Sequence, residues 1–199
     1  YGLLIRMGVE VLDLGTVPDA PAALEAAYQS AVTQQADAII TSGGVSVGEA
    51  DYTKAMMREL GDVAFWRIAM RPGRPMAVGR LGSAVLFGLP GNPVAVMVTF
   101  LAFVRPALLR MMGSSAPDLP LLKAASTGPL RKKPGRTEYQ RGIVTQTPGG
   151  GLAVCITGNQ GSGVLSSMVQ ANGLIVLHHQ QGDVAAGDPV DVMMFDGVI

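Results

Sequence analysis

Two carboxylates, Glu49 and Asp51, stand at the end of the run Thr41-Ser42-Gly43-Gly44-Val45-Ser46-Val47-Gly48. Small residues in such a run let the main chain approach a ligand closely. Amide groups at a following helix start favour negative charge, so Ser42, Gly43, Gly44 and Ser46 have the chemistry of an oxyanion cradle. Acidic side chains beside a bound phosphate repel it unless a cation intervenes. Magnesium, which takes one or two carboxylates together with substrate phosphates, resolves that conflict and makes Asp51 a candidate metal ligand. The competing reading of Asp51 is a helix cap. A second turn of similar chemistry, Gly88-Leu89-Pro90-Gly91-Asn92-Pro93, follows the apolar run 84–87. Arg67, Arg71 and Arg74, spaced by four and three, offer guanidinium groups that match oxyanions through paired bonds. Their alternative is a solvated strand edge. Neither turn is a P-loop, since no Gly-Lys-Ser or Gly-Lys-Thr closes it.

Strands and helices must alternate to position these turns. Periodicity predicts strands over 9–14, 38–41 and 84–87, with helices over 21–35, 51–60 and 94–112. Extended runs cover 63–70 and 75–80, separated by the turn Arg71-Pro72-Gly73-Arg74. Asp19 sits just ahead of the first long helix. This alternation implies an α/β domain over 1–113 whose sheet is mostly parallel and covered on both faces, in three layers, with ligands beyond the carboxyl ends of the strands. After the linker 114–120, short extended runs at 121–126, 138–147, 152–157, 173–177 and 189–195 predict an all-β domain over 121–199, a small barrel or sandwich. A short helical piece is expected at 164–170. Lys123, Arg131, Lys132, Lys133, Arg136 and Arg141 precede the middle of this domain and could form a local cationic surface.

Composition excludes several classes. Fifteen basic residues balance fifteen acidic ones, which argues against nucleic acid as a partner. The sequence holds no uninterrupted apolar run of about 18 residues, so a membrane span is not expected. One cysteine, Cys155, permits no internal disulfide, and with no leader-like start the expected compartment is the cytoplasm. Cys155 lies between Val154 and Ile156 and reads as packing. His178 and His179 lack partners at zinc-ligand spacing. A start at Tyr1 rather than methionine implies that the beginning of a longer protein is missing.

The segments 42–52, Phe65-Trp66-Arg67, Arg71-Pro72-Gly73-Arg74-Pro75 and 88–93 resemble, in order and spacing, the MoeA-type molybdopterin molybdenumtransferases. Pro134-Gly135-Arg136, Gln140-Arg141-Gly142 and Gly158-Asn159-Gln160-Gly161-Ser162 continue the resemblance through the second domain. It implies an insertase of molybdenum cofactor biosynthesis: adenylylated molybdopterin is hydrolysed, AMP leaves, and molybdate enters at the dithiolene. The other readings are a molybdopterin adenylyltransferase and a gephyrin-like scaffold or binding module without catalysis.

Carried over by position, Ser42, Gly43, Gly44 and Ser46 line the pterin-phosphate pocket, and Pro90, Gly91 and Asn92 shape its other wall, while Glu49, beside that run in the sequence, is a substrate-binding candidate. Asp51 matches an aspartate linked to magnesium and catalysis, and Asp19 matches another functional aspartate. Arg67 and Arg71 stand where relatives use lysine or arginine, which implies that they hold the anionic substrate or molybdate, and Arg74 is taken with them as substrate-binding. Arg141 and Ser162 match residues of the active-site cleft. The chain departs from the family where Tyr1 is followed by Gly2-Leu3-Leu4 rather than an Asp-Ser-Asn-like stretch, and where Asn159 replaces a histidine. Relatives also carry two further N-terminal domains that support a homodimer and complete the partner's site. The expectation is therefore that this chain by itself binds ligand but turns over poorly.

Overall fold

Pro21 at the first helical position has no N–H to leave unsatisfied, and apolar residues recur at 24, 28, 31 and 32. These features make helix α2 (Pro21–Thr33) and give it one buried face. In the computed structural model, which describes residues 1–43, 61–115, 118–161 and 163–195, the chain forms two units. The first comprises Tyr1–Ile68 with Gly73–Leu108, the second Ala69–Pro72 with Leu109–Ile199.

The first unit begins with a short helix, α1 (Gly2–Arg6), none of whose residues is buried. Residues 9–14 form no strand. The Asp13 carboxylate accepts the Gly15 N–H at 2.8 Å, a local bond that competes with strand pairing. Tyr28 and Ala31 of α2 pack on Ile39, Val63, Ala77 and Leu86 of the sheet. That sheet contains β1 (Ala38–Ser42), β2 (Asp62–Arg67), β4 (Pro75–Leu81) and β5 (Ala84–Leu89), in the order β1-β5-β4-β2.

Among the described residues β1 and β5 run parallel, whereas β5–β4 and β4–β2 are antiparallel, so the expected mostly parallel sheet is mixed. The reason is local. Gly82 and Ser83 join β4 to β5 in a two-residue turn, and only antiparallel neighbours can be connected so briefly. The expected helix at 51–60 lies outside the described residues.

Helix α3 runs over Pro93–Met111 and contains a π-helical turn at Phe100–Val104. Pro106, just beyond it, has no N–H for the regular ladder, and the wider turn absorbs the mismatch. By length and composition this helix is long and apolar enough to cross a membrane, although Arg105 and Arg110 interrupt its apolar run. A core helix passes the same test, and Val94, Val98, Leu101 and Val104 are buried in the protein.

The second unit is built on β6 (Leu122–Ser126), β7 (Thr137–Gln146), β8 (Leu152–Ile156), β9 (Gly173–Leu177) and β10 (Pro189–Met194). Pairing runs β7-β8-β6-β10-β9, and β9 returns to β7, which closes a five-stranded barrel and removes the free edges. Val144, Val154, Ile175, Leu177, Val190 and Val192 fill its interior. A helix, α4 (Ser166–Gln170), precedes β9. Asn172 extends the β7 ladder with its side chain: its amide donates to Val144 O at 2.8 Å and accepts the Val144 N–H at 2.7 Å.

A two-residue strand, β3 (Met70–Arg71), pairs in parallel with the start of β7, matching Arg71 with Glu138. Residues 69–72 therefore belong with the barrel rather than with the sequence around them. Ile68 N–H donates to Arg74 O at 2.8 Å, closing the excursion at its base.

Candidate functional site

In the first unit Gly43, at the start of the first glycine run, lies near the second run. Parallel pairing sets Ser42 opposite Leu89, so both strands end at the same level. Gly43 then donates its N–H to Leu89 O at 3.0 Å and takes a φ of 96°, a left-handed conformation that glycine adopts without strain. A side chain added at Gly91 would stand 3.5 Å from Gly43 Cα, which measures how closely the turns approach. Pro90 is buried behind them.

Asn92 caps α3: its Oδ1 accepts the Ala95 N–H at 3.2 Å and its carbonyl accepts the Val96 N–H at 2.8 Å. The positive end of α3 is thus directed at the paired turns. Tyr28 of α2 lies beside Thr41 of β1, and burial pushes its phenol up while that hydroxyl pulls it partly back. Asp19, just ahead of α2, is exposed. Asp19 does not cap α2, whose cap position is Ala20.

The arginine cluster is divided. Arg67 and Arg74, both exposed, belong to the first unit, while Arg71 belongs to the barrel unit. Gly44, Ser46, Glu49, Asp51 and Ser162 lie outside the described residues.

The barrel unit has its own concavity, of about 390 Å³, lined by Arg71, Arg131 and Arg141 together with Glu138, Tyr139 and Gln140, and walled by Pro72, Leu130 and Ile156. Arg141 is 2 % exposed. Its Nε donates to Ser167 Oγ at 3.0 Å, and its Nη2 to the carbonyls of Gly161 at 3.0 Å and Asn159 at 3.4 Å. Burial, and then the positive charge of Arg71, pulls the Arg141 guanidinium below its ordinary value. Burial likewise pushes the Tyr139 phenol up.

Gln160 holds the main chain of the same arginine. Its Oε1 accepts the Arg141 N–H at 2.8 Å, and its Nε2 donates to Arg141 O at 3.0 Å. Asn159 Oδ1 accepts the Gly161 N–H at 2.7 Å, so the 158–161 segment is wound around Arg141. The glycine-flanked motif was visible in the sequence, but its pairing with residue 141 was not.

The expected cationic surface is broken up. Lys132 is buried, Arg136 pairs with Glu138 at 2.8 Å, and Lys123 pairs with Asp191 at 2.8 Å. Cys155, expected to pack, is exposed because it falls on the outer side of β8. His178 Nε2 lies 2.6 Å from Asp191 Oδ2. Lys123 chiefly, with His178 helping and partial burial opposing, holds the Asp191 carboxyl below its usual range. A lowered carboxylate pKa contributes stability above the unfolded value and loses it as pH falls through the folded one. Asp191→Asn is therefore expected to cost up to about 1 kcal/mol at neutral pH and nothing well below pH 3. Thermal melts of both proteins between pH 2 and 7 check this; a constant difference across that range removes Asp191 as its source.

Residues 1–110 match the family described as "Probable molybdopterin binding domain", and residues 123–195 match "MoeA C-terminal region (domain IV)". The chain is 43% identical over 198 residues to the molybdopterin molybdenumtransferase of Haemophilus influenzae, covering 99% of this chain and 49% of that protein. It is 33% identical over 195 residues to the Bacillus subtilis protein of the same name, covering 98% of this chain and 45% of the relative. The chain thus spans about half the length of these curated relatives. The crystal structure of a Pyrococcus horikosii molybdopterin biosynthesis MoeA protein aligns with a TM-score of 0.77 at 26% identity, over 98% of this chain and 46% of that one. With both regions present in that order, and with this similarity along nearly its full length, the chain belongs to the MoeA-type molybdopterin molybdenumtransferase family.

Proposed function

We propose that the chain is the part of a molybdenum insertase that binds adenylylated molybdopterin and molybdate, in molybdenum cofactor biosynthesis, with release of AMP. The observation that carries the reading is the close approach of Gly43 and Gly91 beside the start of α3. The main-chain amides at Gly43 and at the start of α3 suit a phosphate, with the helix dipole favouring its charge. Arg71 and Arg141 line one concavity, which supports a place for an anion in the barrel unit. Arg71 is exposed and free to approach a ligand, whereas Arg141 shapes the wall.

Magnesium belongs to this reading through Asp51, with phosphate oxygens and water completing its shell. Among the described residues no group of three or more His, Cys, Asp or Glu side chains could hold a metal ion, so the proposal rests on Asp51 and the substrate. When bound, the ion neutralises charge on the phosphoryl oxygens. Ser42 and Gly43 orient the phosphate, and Asp19 is a proposed site residue. Arg67, Arg74 and Glu49 are proposed to contact substrate, with Ser162 at the cleft. A homodimer and a cytoplasmic location complete the proposal.

The test is reconstitution with adenylylated molybdopterin, magnesium and molybdate, with this chain grafted in place of the matching half of the Haemophilus influenzae relative. AMP release coupled to cofactor formation is expected. In the same chimera, Arg71→Ala is expected to lower turnover at limiting molybdate by roughly tenfold. A folded chimera that binds substrate and releases no AMP would overturn the enzyme reading.

A further inference from the structure

We infer that Arg131 is a further anion-contacting residue of the barrel concavity, and that buried Lys132 is the positioning residue that holds it there. Consecutive side chains of the run Arg131-Lys132-Lys133 face differently: Arg131 and Lys133 are exposed, and Lys132 is 4 % exposed. Lys132 Nζ donates to Lys133 O at 2.8 Å and to Gln181 O at 3.1 Å, while its main-chain N–H donates to Asp183 Oδ1 at 2.6 Å. On one side, Leu130 and Val184 exchange both main-chain bonds at 2.9 Å; on the other, Gly135 donates to His179 O at 2.9 Å. The segment carrying Arg131 is therefore clamped onto residues 178–184. Buried lysines are rare unless their donors are satisfied, and this ammonium contacts carbonyls at the join between the two segments.

The clamp has a chemical consequence. The described lining of the concavity contains Arg71, Arg131 and Arg141 but one carboxylate, Glu138. Glu138 does not oppose an anion strongly, because Arg136 Nε bonds its Oε1 at 2.8 Å and Gln140 Nε2 reaches its Oε2 at 3.4 Å. Gln140 also donates to Arg131 O at 3.3 Å, so the same amide ties the arginine's main chain to the neutralised acid. Arg141 has its Nε and Nη2 engaged in the loop, which leaves Arg71 and Arg131 as the exposed guanidiniums facing a small oxyanion. The inference rests on the functional reading above only in taking molybdate as the anion.

Calorimetric titration of the chain with molybdate, and separately with inorganic phosphate, tests it. Arg131→Ala is expected to weaken binding roughly tenfold and Lys132→Met roughly three- to tenfold. Because Lys132 acts through Arg131, the double variant should bind no worse than Arg131→Ala. Asp183→Ala, which frees the same segment from its other side, should reproduce the Lys132→Met loss and serves if that variant fails to fold. Unchanged binding in Arg131→Ala, fully additive losses in the double variant, or no binding of either anion would overturn the inference. Arg131-dependent binding of phosphate without molybdate binding would leave it standing and overturn the functional reading instead. Molybdate binding indifferent to Arg131 would do the reverse.

Discussion

Asp51→Asn is expected to reduce magnesium-dependent AMP release by roughly a hundred- to ten-thousandfold, with the melting temperature unchanged. Asparagine keeps the size of the side chain and can still cap a helix, but it lacks the charge needed to bind a divalent cation beside phosphate. This substitution therefore separates the metal reading from the capping one. Magnesium titrations of both proteins in the chimeric enzyme check it. Residual activity of the variant should also be insensitive to chelation, since the ion has already lost its ligand. Turnover within twofold of the parent, with the same magnesium dependence, would return Asp51 to a capping role.

Arg141→Met is expected to destabilise the barrel unit by about 2–4 kcal/mol, a fall of roughly 10 °C in its melting temperature. Methionine fills much of the space but donates nothing, leaving the Asn159 and Gly161 carbonyls and Ser167 Oγ without the guanidinium. Lysine should not rescue it, because one ammonium lacks the planar fork that serves three acceptors at once. Faster proteolytic cutting around 158–165 is expected to accompany the loss. A variant of unaltered stability that nevertheless binds no molybdate would show Arg141 to be a direct ligand and not the scaffold of its loop.

These two residues show how differently a site can be legible. Asp51 stands out in the sequence because its signal is local, with small residues and a strand before it and a helix signal after, and it lies outside the described residues. Arg141 was identifiable only as a position matching a family, and its work is done by partners 18 to 26 residues away. Gln160 escaped functional notice because nothing in a glutamine announces that its amide will pair with a strand's main chain. The cationic run 131–136 misled for a similar reason, since charge in sequence does not say which lysine turns inward.

Among the elements, the barrel strands were readable because each alternates or runs apolar between glycine and proline breaks, so their positions follow from short-range pattern. Residues 9–14 read as a strand by the same pattern but form none. Strand direction was not readable. A two-residue turn fixes β4 and β5 as antiparallel, yet the sequence reading gave greater weight to the alternation of strands with helices.

By itself the sequence determined the family and the two-part organisation, which rest on neighbouring residues or on order along the chain. Tertiary structure decided that Gly43 lies close to Gly91, because that depends on the parallel register of β1 and β5. It also decided that Arg71 belongs with the barrel, because two main-chain pairings join Met70 and Arg71 to β7. Hydrogen-bond register between distant strands is a property of the folded chain, and no local run of side chains specifies it.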